Sequence, residues 1–277
     1  MSRILTPTEI SEYEDNGVVC IRNAVEPKWV DRMLKLVDVQ LNAPSRWVND
    51  ANPSATRNRL FTDRYMWRDN AEIKAYIYES GVASIAGQAM KSSTIRFYFD
   101  HLLVKEPETT APTPWHQDAP YWPFKGKQIC SLWLALTDTT IEQSSLEFIR
   151  GSHLLNKYYM PKTFGERKNH PNSWQLEGIE GEPVPAIEEN RADFDVVGWD
   201  VKAGDGLLFS AWTLHGARGN SSTDHRRAAL STRWLGDDVI WYPHPGADPT
   251  VTQDNVSVQP GEPAHDDDRF PVIWQVA

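Results

Sequence analysis

Residues 95–105 read IRFYFDHLLVK, and this stretch decides the fold because the pattern of the chain changes here. Aromatic and β-branched residues dominate it, as is typical of a β-strand. Downstream, similar short segments are separated by Gly, Asp, Asn and Ser, with no helical periodicity between them. Short strands in direct succession favour an antiparallel sandwich or barrel over a βαβ fold. The further strands are predicted at 129–136, 146–149, 193–199, 206–209 and 228–234.

The residues before this stretch are predicted to be mostly helical. Thr6-Pro7-Thr8-Glu9 places a threonine at the N-cap, a proline at the first helical position and a glutamate at N3, and Gly17 stands where a short helix ends. A second helix is predicted from Pro27 to Leu41, because its apolar residues recur every three or four positions. Residues 43–58 read as a loop, and short helical patches are predicted within 71–90.

These patterns predict a single domain over residues 1–277, because no repeat or linker divides the chain. It consists of a mostly helical flank (1–92), a β core (93–240) and a C-terminal coil (241–277). Within the core, residues 161–191 are rich in Pro, Asn, Gly and Glu, and they are interpreted as an insertion that covers the pocket as a lid.

Composition excludes several classes of protein. The net charge is −10, with 28 Lys+Arg against 38 Asp+Glu, and no basic cluster is present to neutralise the phosphates of a nucleic acid. The longest apolar runs are too short for a membrane-spanning helix, and the N-terminal residues lack the apolar core of a signal peptide. Only Cys20 and Cys130 are present, which cannot form a cysteine-rich zinc site and are expected to be reduced thiols in a cytoplasmic protein.

Two histidines and an aspartate form a candidate metal site. His116 and Asp118 are two residues apart, so in a strand their side chains would point to the same face. His215 follows an apolar strand that starts after the turn at Gly204-Asp205. Two imidazoles and one carboxylate leave coordination positions open, as in non-haem Fe(II) oxygenases. Zinc accepts the same ligands for hydrolysis, so these three residues alone leave both metals open.

An arginine pair downstream of the second histidine favours the iron interpretation. Arg226 and Arg227 open the predicted strand at 228–234. A planar guanidinium group binds a carboxylate through two parallel hydrogen bonds, as a dicarboxylate co-substrate would require.

The ordered set of motifs resembles the phytanoyl-CoA dioxygenase family of Fe(II)/2-oxoglutarate-dependent oxygenases. The resemblance covers at least residues 94–240, and it depends on the combination rather than on any one motif. The matching residues are Leu102–Lys105, Pro112–Trp115, His116–Asp118, Tyr121-Trp122-Pro123-Phe124, Trp133, Gly151-Ser152-His153, and His215-Gly216 with Asn220 and Arg227.

The resemblance implies a mainly β fold with flanking helices, namely a double-stranded β-helix (cupin-like jelly roll) with the metal inside. It implies that His116, Asp118 and His215 bind iron and that one arginine binds the distal carboxylate of 2-oxoglutarate. Arg227 is favoured because the family's arginine precedes a serine by four residues, as Arg227 precedes Ser231; counting forward from His215 selects Arg226 instead.

Further pocket residues follow from the same resemblance. Gln117 and Trp133 fall at positions that contact the co-substrate. His101 lies where the chain departs from the family pattern and is assigned to the substrate pocket. The residues assigned to that pocket are Tyr121, Trp122, Phe124, Trp212 and His101.

The predicted activity is therefore hydroxylation of a small organic or acyl substrate, with Fe(II), 2-oxoglutarate and O2 as cofactor and co-substrates and with release of succinate and CO2. The presence of Asp118 favours hydroxylation over halogenation, because related halogenases have a small residue at this position. Two alternatives remain at this point: a zinc or manganese cupin with hydrolase or isomerase activity, and a barrel that binds a ligand without catalysis. The partner is a small molecule in each case, and no CoA site is evident.

Overall fold

The computed structural model describes residues 3–160 and 181–276. Its α-helices are α1 (Pro7–Asn16), α2 (Pro27–Asn42), α3 (Ala71–Glu79) and α4 (Val82–Met90). Its strands are β1 (Val18–Ile21), β2 (Asn49–Ala51), β3 (Leu60–Arg64), β4 (Thr94–Lys105), β5 (Thr113–His116), β6 (Phe124–Lys125), β7 (Ile129–Ala135), β8 (Leu146–Ile149), β9 (Val196–Gly198), β10 (Gly206–Ser210), β11 (His215–Ala217), β12 (Arg227–Leu235), β13 (Ile240–Trp241) and β14 (Val272–Gln275).

Two antiparallel sheets form the core. The larger sheet has the order β1-β10-β7-β12-β4-β3-β2, with β14 also paired to β4. The smaller sheet has the order β5-β11-β8-β9, and β6 and β13 form a separate short pair. Strands distant in sequence are thus neighbours in space, as in a jelly roll. The mainly β architecture with flanking helices, predicted as a cupin-like double-stranded β-helix, is confirmed.

The central strands of the larger sheet contribute to two separate apolar layers. In β7, Cys130, Leu132 and Leu134 belong to the cluster that includes the helices, whereas Trp133 and Ala135 belong to the cluster that includes the smaller sheet. Side chains of a strand alternate between its faces, which explains this division. The helices therefore cover one face of the larger sheet, and the functional cavity lies on the other.

The predicted start of α1 is confirmed. The Thr6 hydroxyl accepts a hydrogen bond from the Glu9 backbone N–H, and the Glu9 carboxylate accepts one from the Thr6 backbone N–H. Gly17 ends the helix with φ +75°, a conformation that favours glycine.

The boundaries of the predicted segments need two corrections. The mostly helical flank at 1–92 contributes β1, which the short apolar run at 18–21 predicts, and also β2 and β3 to the larger sheet; β2 lies within the predicted loop at 43–58. The C-terminal segment at 241–277 is not only coil, because β14 pairs with β4.

Of the predicted lid at 161–191, residues 161–180 lie outside the described residues, and 181–191 are turns and irregular structure. Among the described helices, none is both long enough and apolar enough to cross a bilayer.

Candidate metal centre and the cavity beside it

His116, Asp118 and His215 converge at one point between the two sheets. β5 ends at His116, β11 begins at His215, and these two residues are paired in the strand register. The Nε2 atoms of His116 and His215 lie 3.5 and 3.9 Å from Asp118 Oδ1. One ligand atom from each residue lies within 4.8 Å of the other two, and all three side chains are buried. This spacing fits a single metal ion.

Asp118 reaches this point from a turn, not from a strand. It follows the end of β5 with helical dihedrals (φ −77°, ψ −41°) and caps the 3₁₀ turn Ala119–Tyr121. Its backbone N–H donates to Ala211 O, which fixes the turn against the residues after β10. The prediction that His116 and Asp118 share a face because both lie in one strand was therefore wrong in its reason, although their side chains do meet.

Backbone carbonyls orient both imidazoles in the same way. His116 Nδ1 lies 2.8 Å from Pro114 O, and His215 Nδ1 lies 3.0 Å from Thr213 O. A carbonyl only accepts hydrogen bonds, so each Nδ1 carries the proton and each Nε2 keeps a lone pair directed at the centre. A hydrogen bond from the other ring nitrogen to a carbonyl is a usual way in which proteins orient a metal-binding histidine.

The charges of the three side chains suit a cation. Burial alone would raise the pKa of Asp118, but the two adjacent imidazoles and the positive charge of Arg233 hold that pKa well below its ordinary value. Burial and the neighbouring His116 lower the pKa of His215 to about 3, so its ring is neutral near pH 7. Asp118 Oδ2 accepts a hydrogen bond of 2.7 Å from Ser131 Oγ, which leaves Oδ1 for the centre.

Two buried basic side chains lie side by side elsewhere in the same cavity. Lys105 and Arg227 are register partners in β4 and β12, and their exposed fractions are 0% and 3%. Burial lowers the pKa of both side chains, and the charge of Arg227 lowers that of Lys105 further. No carboxylate among the described residues forms an ion pair with either side chain, although Lys105 Nζ donates to Arg218 O at 2.7 Å. The cavity thus has a cationic end that suits an anion.

A cavity of about 170 Å³ connects the metal-ligand cluster with this cationic end. Its walls are largely aromatic and aliphatic, which limits the access of water. The aromatic and apolar lining residues are Leu60, Phe99, Leu103, Tyr121, Trp122, Trp133, Leu146 and Phe209.

The sequence profile of the phytanoyl-CoA dioxygenase (PhyH) family matches residues 13–228. The chain belongs to this family. The matched region begins in the last turn of α1. It includes all three candidate metal ligands together with Lys105 and Arg227.

Solved structures with the same fold support the assignment of this PhyH-family architecture. The chain is similar to the non-heme alpha ketoglutarate dependent carbocyclase SnoK from nogalamycin biosynthesis, with 22% identity, a TM-score of 0.71, and coverage of 98% of this chain and 97% of SnoK. The epimerase SnoN in complex with Fe³⁺, alpha ketoglutarate and nogalamycin RO gives 20% identity, a TM-score of 0.71, and coverage of 96% and 98%. EctD from S. alaskensis with 2-oxoglutarate and 5-hydroxyectoine gives 15% identity, a TM-score of 0.68, and coverage of 93% of this chain and 86% of EctD.

The two candidate arginines of this PhyH-family chain point in opposite directions. Arg227 lines the cavity, where its Nη1 donates to Leu103 O at 2.9 Å. Arg226 is half-buried outside the cavity, where its guanidinium pairs with Glu106 and Asp38. Adjacent residues of a strand face opposite sides, so only one of the pair can reach the pocket. Arg226, the alternative to the favoured Arg227, therefore lies outside the cavity.

Three other predicted pocket residues do not line the cavity. Gln117 uses its side chain for backbone contacts: Nε2 donates to Trp212 O and Lys157 O, and Oε1 accepts from Tyr159 N–H. Phe124 packs against Trp241 and Phe270, in the same apolar cluster as the cavity-lining Trp122. Trp212 donates from its indole N–H to Gly126 O. Gln117 and Trp212 thus hold loops around the site in place, and Phe124 is part of the apolar core beside it.

The remaining predicted residues do line the cavity. Tyr121 packs edge-on against His116 with ring centroids 5.8 Å apart, and Trp122 and His101 lie on the wall. Trp133 lies 6.0 Å from the Arg227 guanidinium, measured to the ring centroid.

Sequence reasoning missed three polar residues of the site. Ser131 is a fully buried hydroxyl in the otherwise apolar β7, and that isolated polarity was the available signal. Lys105 ends β4, and the prediction included it only as part of a strand motif. Arg233 lies in β12 an even number of residues after Arg227. Because side chains alternate along a strand, this spacing already indicated that both face the same side, the side of the cavity.

Proposed function

We propose that this chain is an Fe(II)- and 2-oxoglutarate-dependent dioxygenase that hydroxylates a small organic or acyl substrate with release of succinate and CO2. The observation that carries this proposal is one cavity with two distinct ends. His116, Asp118 and His215 form a metal-sized cluster at one end, and Lys105 and Arg227 form a cationic end without a carboxylate partner among the described residues.

The metal end fits iron. Two neutral imidazoles and one carboxylate form the ligand set of non-haem Fe(II) oxygenases, with positions left for a co-substrate and O2. His116, Asp118 and His215 would hold the ion, Ser131 would orient the carboxylate, and the carbonyls of Pro114 and Thr213 would orient the rings. When bound, Fe(II) with 2-oxoglutarate supplies the oxidising power for the reaction through activation of O2 and oxidative decarboxylation.

The cationic end fits the distal carboxylate of 2-oxoglutarate. Arg227 Nε and Ser231 Oγ are buried and have no hydrogen-bond partner among the described residues. A buried donor without an acceptor is costly, and a carboxylate would provide acceptors for both. A carboxylate bound here would also favour the charged form of Lys105 beside Arg227, and the Trp133 ring limits the width of the pocket.

The protein's remaining role in the reaction is to position the substrate and exclude water. Tyr121 and Trp122 form the wall beside His116, while Phe209 packs against His215 with ring centroids 4.5 Å apart. These rings keep the substrate in a dry cavity next to the metal ligands, which favours its oxidation over side reactions.

The structural relatives support this proposal in different ways. SnoN was crystallised with Fe³⁺ and alpha ketoglutarate, and EctD with 2-oxoglutarate, so this architecture accommodates both groups. SnoK is a carbocyclase and SnoN an epimerase. We infer hydroxylation for this chain from its intact carboxylate ligand, Asp118, as opposed to the halogenases with a small residue there.

We also propose a cytoplasmic location. Cys20 and Cys130 are free in the structure, Cys130 being buried, and free thiols of this kind suit a reducing compartment. A reducing compartment also keeps iron in the Fe(II) state that the proposed reaction needs.

Succinate formation tests the proposal. Purified protein is loaded with Fe(II) under anaerobic conditions, mixed with 2-oxoglutarate, exposed to O2 and assayed for succinate. Succinate is expected from the wild type and from Arg226→Lys, and not from His215→Ala. Absence of succinate from the wild type, together with hydrolase or isomerase activity on Zn²⁺ or Mn²⁺ loading, would favour the alternative cupin function; absence of any activity would favour a ligand-binding barrel.

A further inference from the structure

Arg233 is a second buried arginine in the cavity, and the proposed function leaves it without a role. It lies in β12 on the same face as Arg227 and Ser231, and it lines the cavity. Its exposed fraction is 6%. Its Nε and Nη1 atoms are inaccessible to water and make no hydrogen bond to any described residue.

Two other buried arginines do have a carboxylate partner. Arg59 pairs with Asp50 at 2.7 Å, and Arg64 pairs with Asp248 at 3.1 Å. By contrast, no carboxylate oxygen of the described residues lies within ion-pair distance of Arg233. Asp118 and Asp100 act on its charge only through space, so its buried Nε and Nη1 donors remain a cost that an acceptor in this part of the cavity would remove.

Arg233 belongs to the metal end of the cavity, whereas Arg227 belongs to the other end. In the sheet register Arg233 is opposite Ser131, whose hydroxyl binds Asp118, and its positive charge acts on both Asp118 and His215. Arg227 instead contacts Leu103 and lies against Trp133. Six residues of strand separate the two α-carbons by roughly 20 Å. The two guanidinium groups therefore serve different parts of a ligand complex.

The surroundings of Arg233 are aromatic. Its guanidinium lies 4.8 Å from the centroid of the Phe99 ring and 5.9 Å from that of Trp122. These cation–π contacts hold the group in place but provide no hydrogen-bond acceptor in its plane. A ligand that satisfies this site needs an anionic oxygen for Arg233 and an apolar body for the two rings.

We propose that Arg233 binds a carboxylate of the substrate, so that the enzyme acts on an organic acid whose apolar body packs against Phe99 and Trp122 near the metal ligands. This inference rests on the proposed function, because it takes the Arg227 end to be occupied by 2-oxoglutarate. It adds a substrate class and a specificity-determining residue. Arg233 would select the anion and fix which carbon of the substrate faces the metal centre.

Matched pairs of acids and amides test the proposal. The probes are benzoate and benzamide, phenylacetate and phenylacetamide, and 2-naphthoate and 2-naphthamide. Their dissociation constants are measured by titration calorimetry with anaerobic Fe(II) protein and saturating 2-oxoglutarate, so that Arg227 is already engaged. In the wild type, at least one acid is expected to bind roughly tenfold or more tightly than its amide, as for hydrogen bonds to a charged group. In Arg233→Met this preference is expected to disappear, and in Arg226→Met it is expected to persist.

The visible charge-transfer band of the Fe(II)–2-oxoglutarate complex separates the two proposals. Arg233→Met is expected to keep this band, which also shows that the variant is folded. If that variant does not fold, Arg233→Lys replaces it, and a reduced preference for the acid is expected because lysine lacks the planar fork. If the wild type shows no band, the proposed function fails, and the same titrations on the metal-free protein still test Arg233.

Three results would overturn the role of Arg233. Equal binding of acids and amides by the wild type would leave it as a residue that only stacks on Phe99 and Trp122. An unchanged preference in Arg233→Met, or in Arg233→Lys where that replaces it, would place the anion elsewhere. Loss of the charge-transfer band in a folded Arg233→Met would assign the residue to the iron and co-substrate instead.

Discussion

At the scale of single residues, Arg226 and Arg227 show how strongly the site depends on side-chain direction. The two are adjacent and chemically identical, but one pairs with Glu106 and Asp38 outside the cavity, and the other lies inside it. The sequence motifs alone left both possible. The strand register distinguishes them, because Arg227 is the partner of Lys105 and begins the inward row that continues with Ser231.

The first prediction compares the same substitution at these two positions. Arg227→Lys keeps the charge but removes the planar fork, so the KM for 2-oxoglutarate in the succinate assay is expected to rise roughly tenfold to a hundredfold, the range for a lost charge-assisted hydrogen bond. Arg226→Lys retains an ion pair outside the cavity and is expected to leave that KM unchanged. A similar KM in both variants, with thermal midpoints like that of the wild type, would contradict the assignment of Arg227.

The second prediction concerns pH and Asp100. This carboxyl group is fully buried, and burial raises its pKa to about 7 although the backbone N–H groups of Met66 and Trp67 donate to it. In the unfolded chain its pKa is near 3.9, so between about pH 4 and 7 the folded state binds the proton more tightly. Its contribution to the free energy of unfolding is therefore complete at low pH and is lost as the pH rises through 7.

Asp100→Asn removes this dependence because asparagine does not titrate. Urea unfolding of both proteins at pH 5, 6, 7 and 8 should show their stability difference changing in favour of the variant by about 2 to 3 kcal/mol between pH 5 and 7, and levelling off above pH 7. The variant also loses a hydrogen-bond acceptor, which shifts all its values together, so the slope is the informative quantity. Parallel pH curves for the two proteins would show that Asp100 titrates normally.

At the scale of elements, the correctly predicted strands are those whose own sequence carries a strand pattern. β8 was predicted with its observed bounds, β7 and β10 differ from prediction by one residue at one end, and β12 differs by one residue at each end. β3 reads LFTDR and carries little local signal; it forms because it pairs with β4 over five residues. β14 likewise depends on pairing with the far end of β4. Such strands require knowledge of the neighbouring strand, which local patterns do not contain.

The third prediction tests the packing of α4 against β14. Gly87 lies inside α4, and a Cβ atom there would overlap the indole ring of Trp274. Replacing a helical glycine by alanine otherwise stabilises by up to about 1 kcal/mol. Gly87→Ala is therefore expected to destabilise the wild type but to stabilise Trp274→Ala, where the ring is absent. Urea unfolding of the four proteins forms a double-mutant cycle, and a Gly87→Ala effect of the same sign in both backgrounds would show that this contact is unimportant.

At the scale of the whole molecule, the site joins residues that are far apart in the chain. His116 and His215 meet because β5 and β11 are neighbours, and Lys105 meets Arg227 because β4 and β12 are neighbours. The metal ligands could be predicted because their types and order resemble a family. Ser131 and Arg233 could not be assigned in this way, since their roles appear only when the strands are in register. The single-domain organisation stays a prediction.

The fourth prediction concerns removal of the metal. A ligand that binds only the folded state stabilises it by about 2.7 kcal/mol at a hundredfold excess over its dissociation constant. Chelation of Fe(II), or of Mn²⁺ as a redox-stable substitute, is expected to lower the thermal midpoint of the wild type by several degrees, since about 2–4 °C corresponds to 1 kcal/mol in proteins of nearly this size. The midpoint of His215→Ala should not respond to the chelator; an equal response would place the metal elsewhere.

The central claim is that one cavity holds Fe(II) on His116, Asp118 and His215 together with 2-oxoglutarate on Arg227. Its most direct test is an anaerobic absorption titration of the Fe(II)-loaded protein with 2-oxoglutarate. A weak visible charge-transfer band is expected to appear and saturate in the wild type and in Arg226→Lys, to require more 2-oxoglutarate in Arg227→Lys, and to be absent from His116→Ala. A wild type without this band, or a band of equal strength in a folded His116→Ala, would contradict the claim.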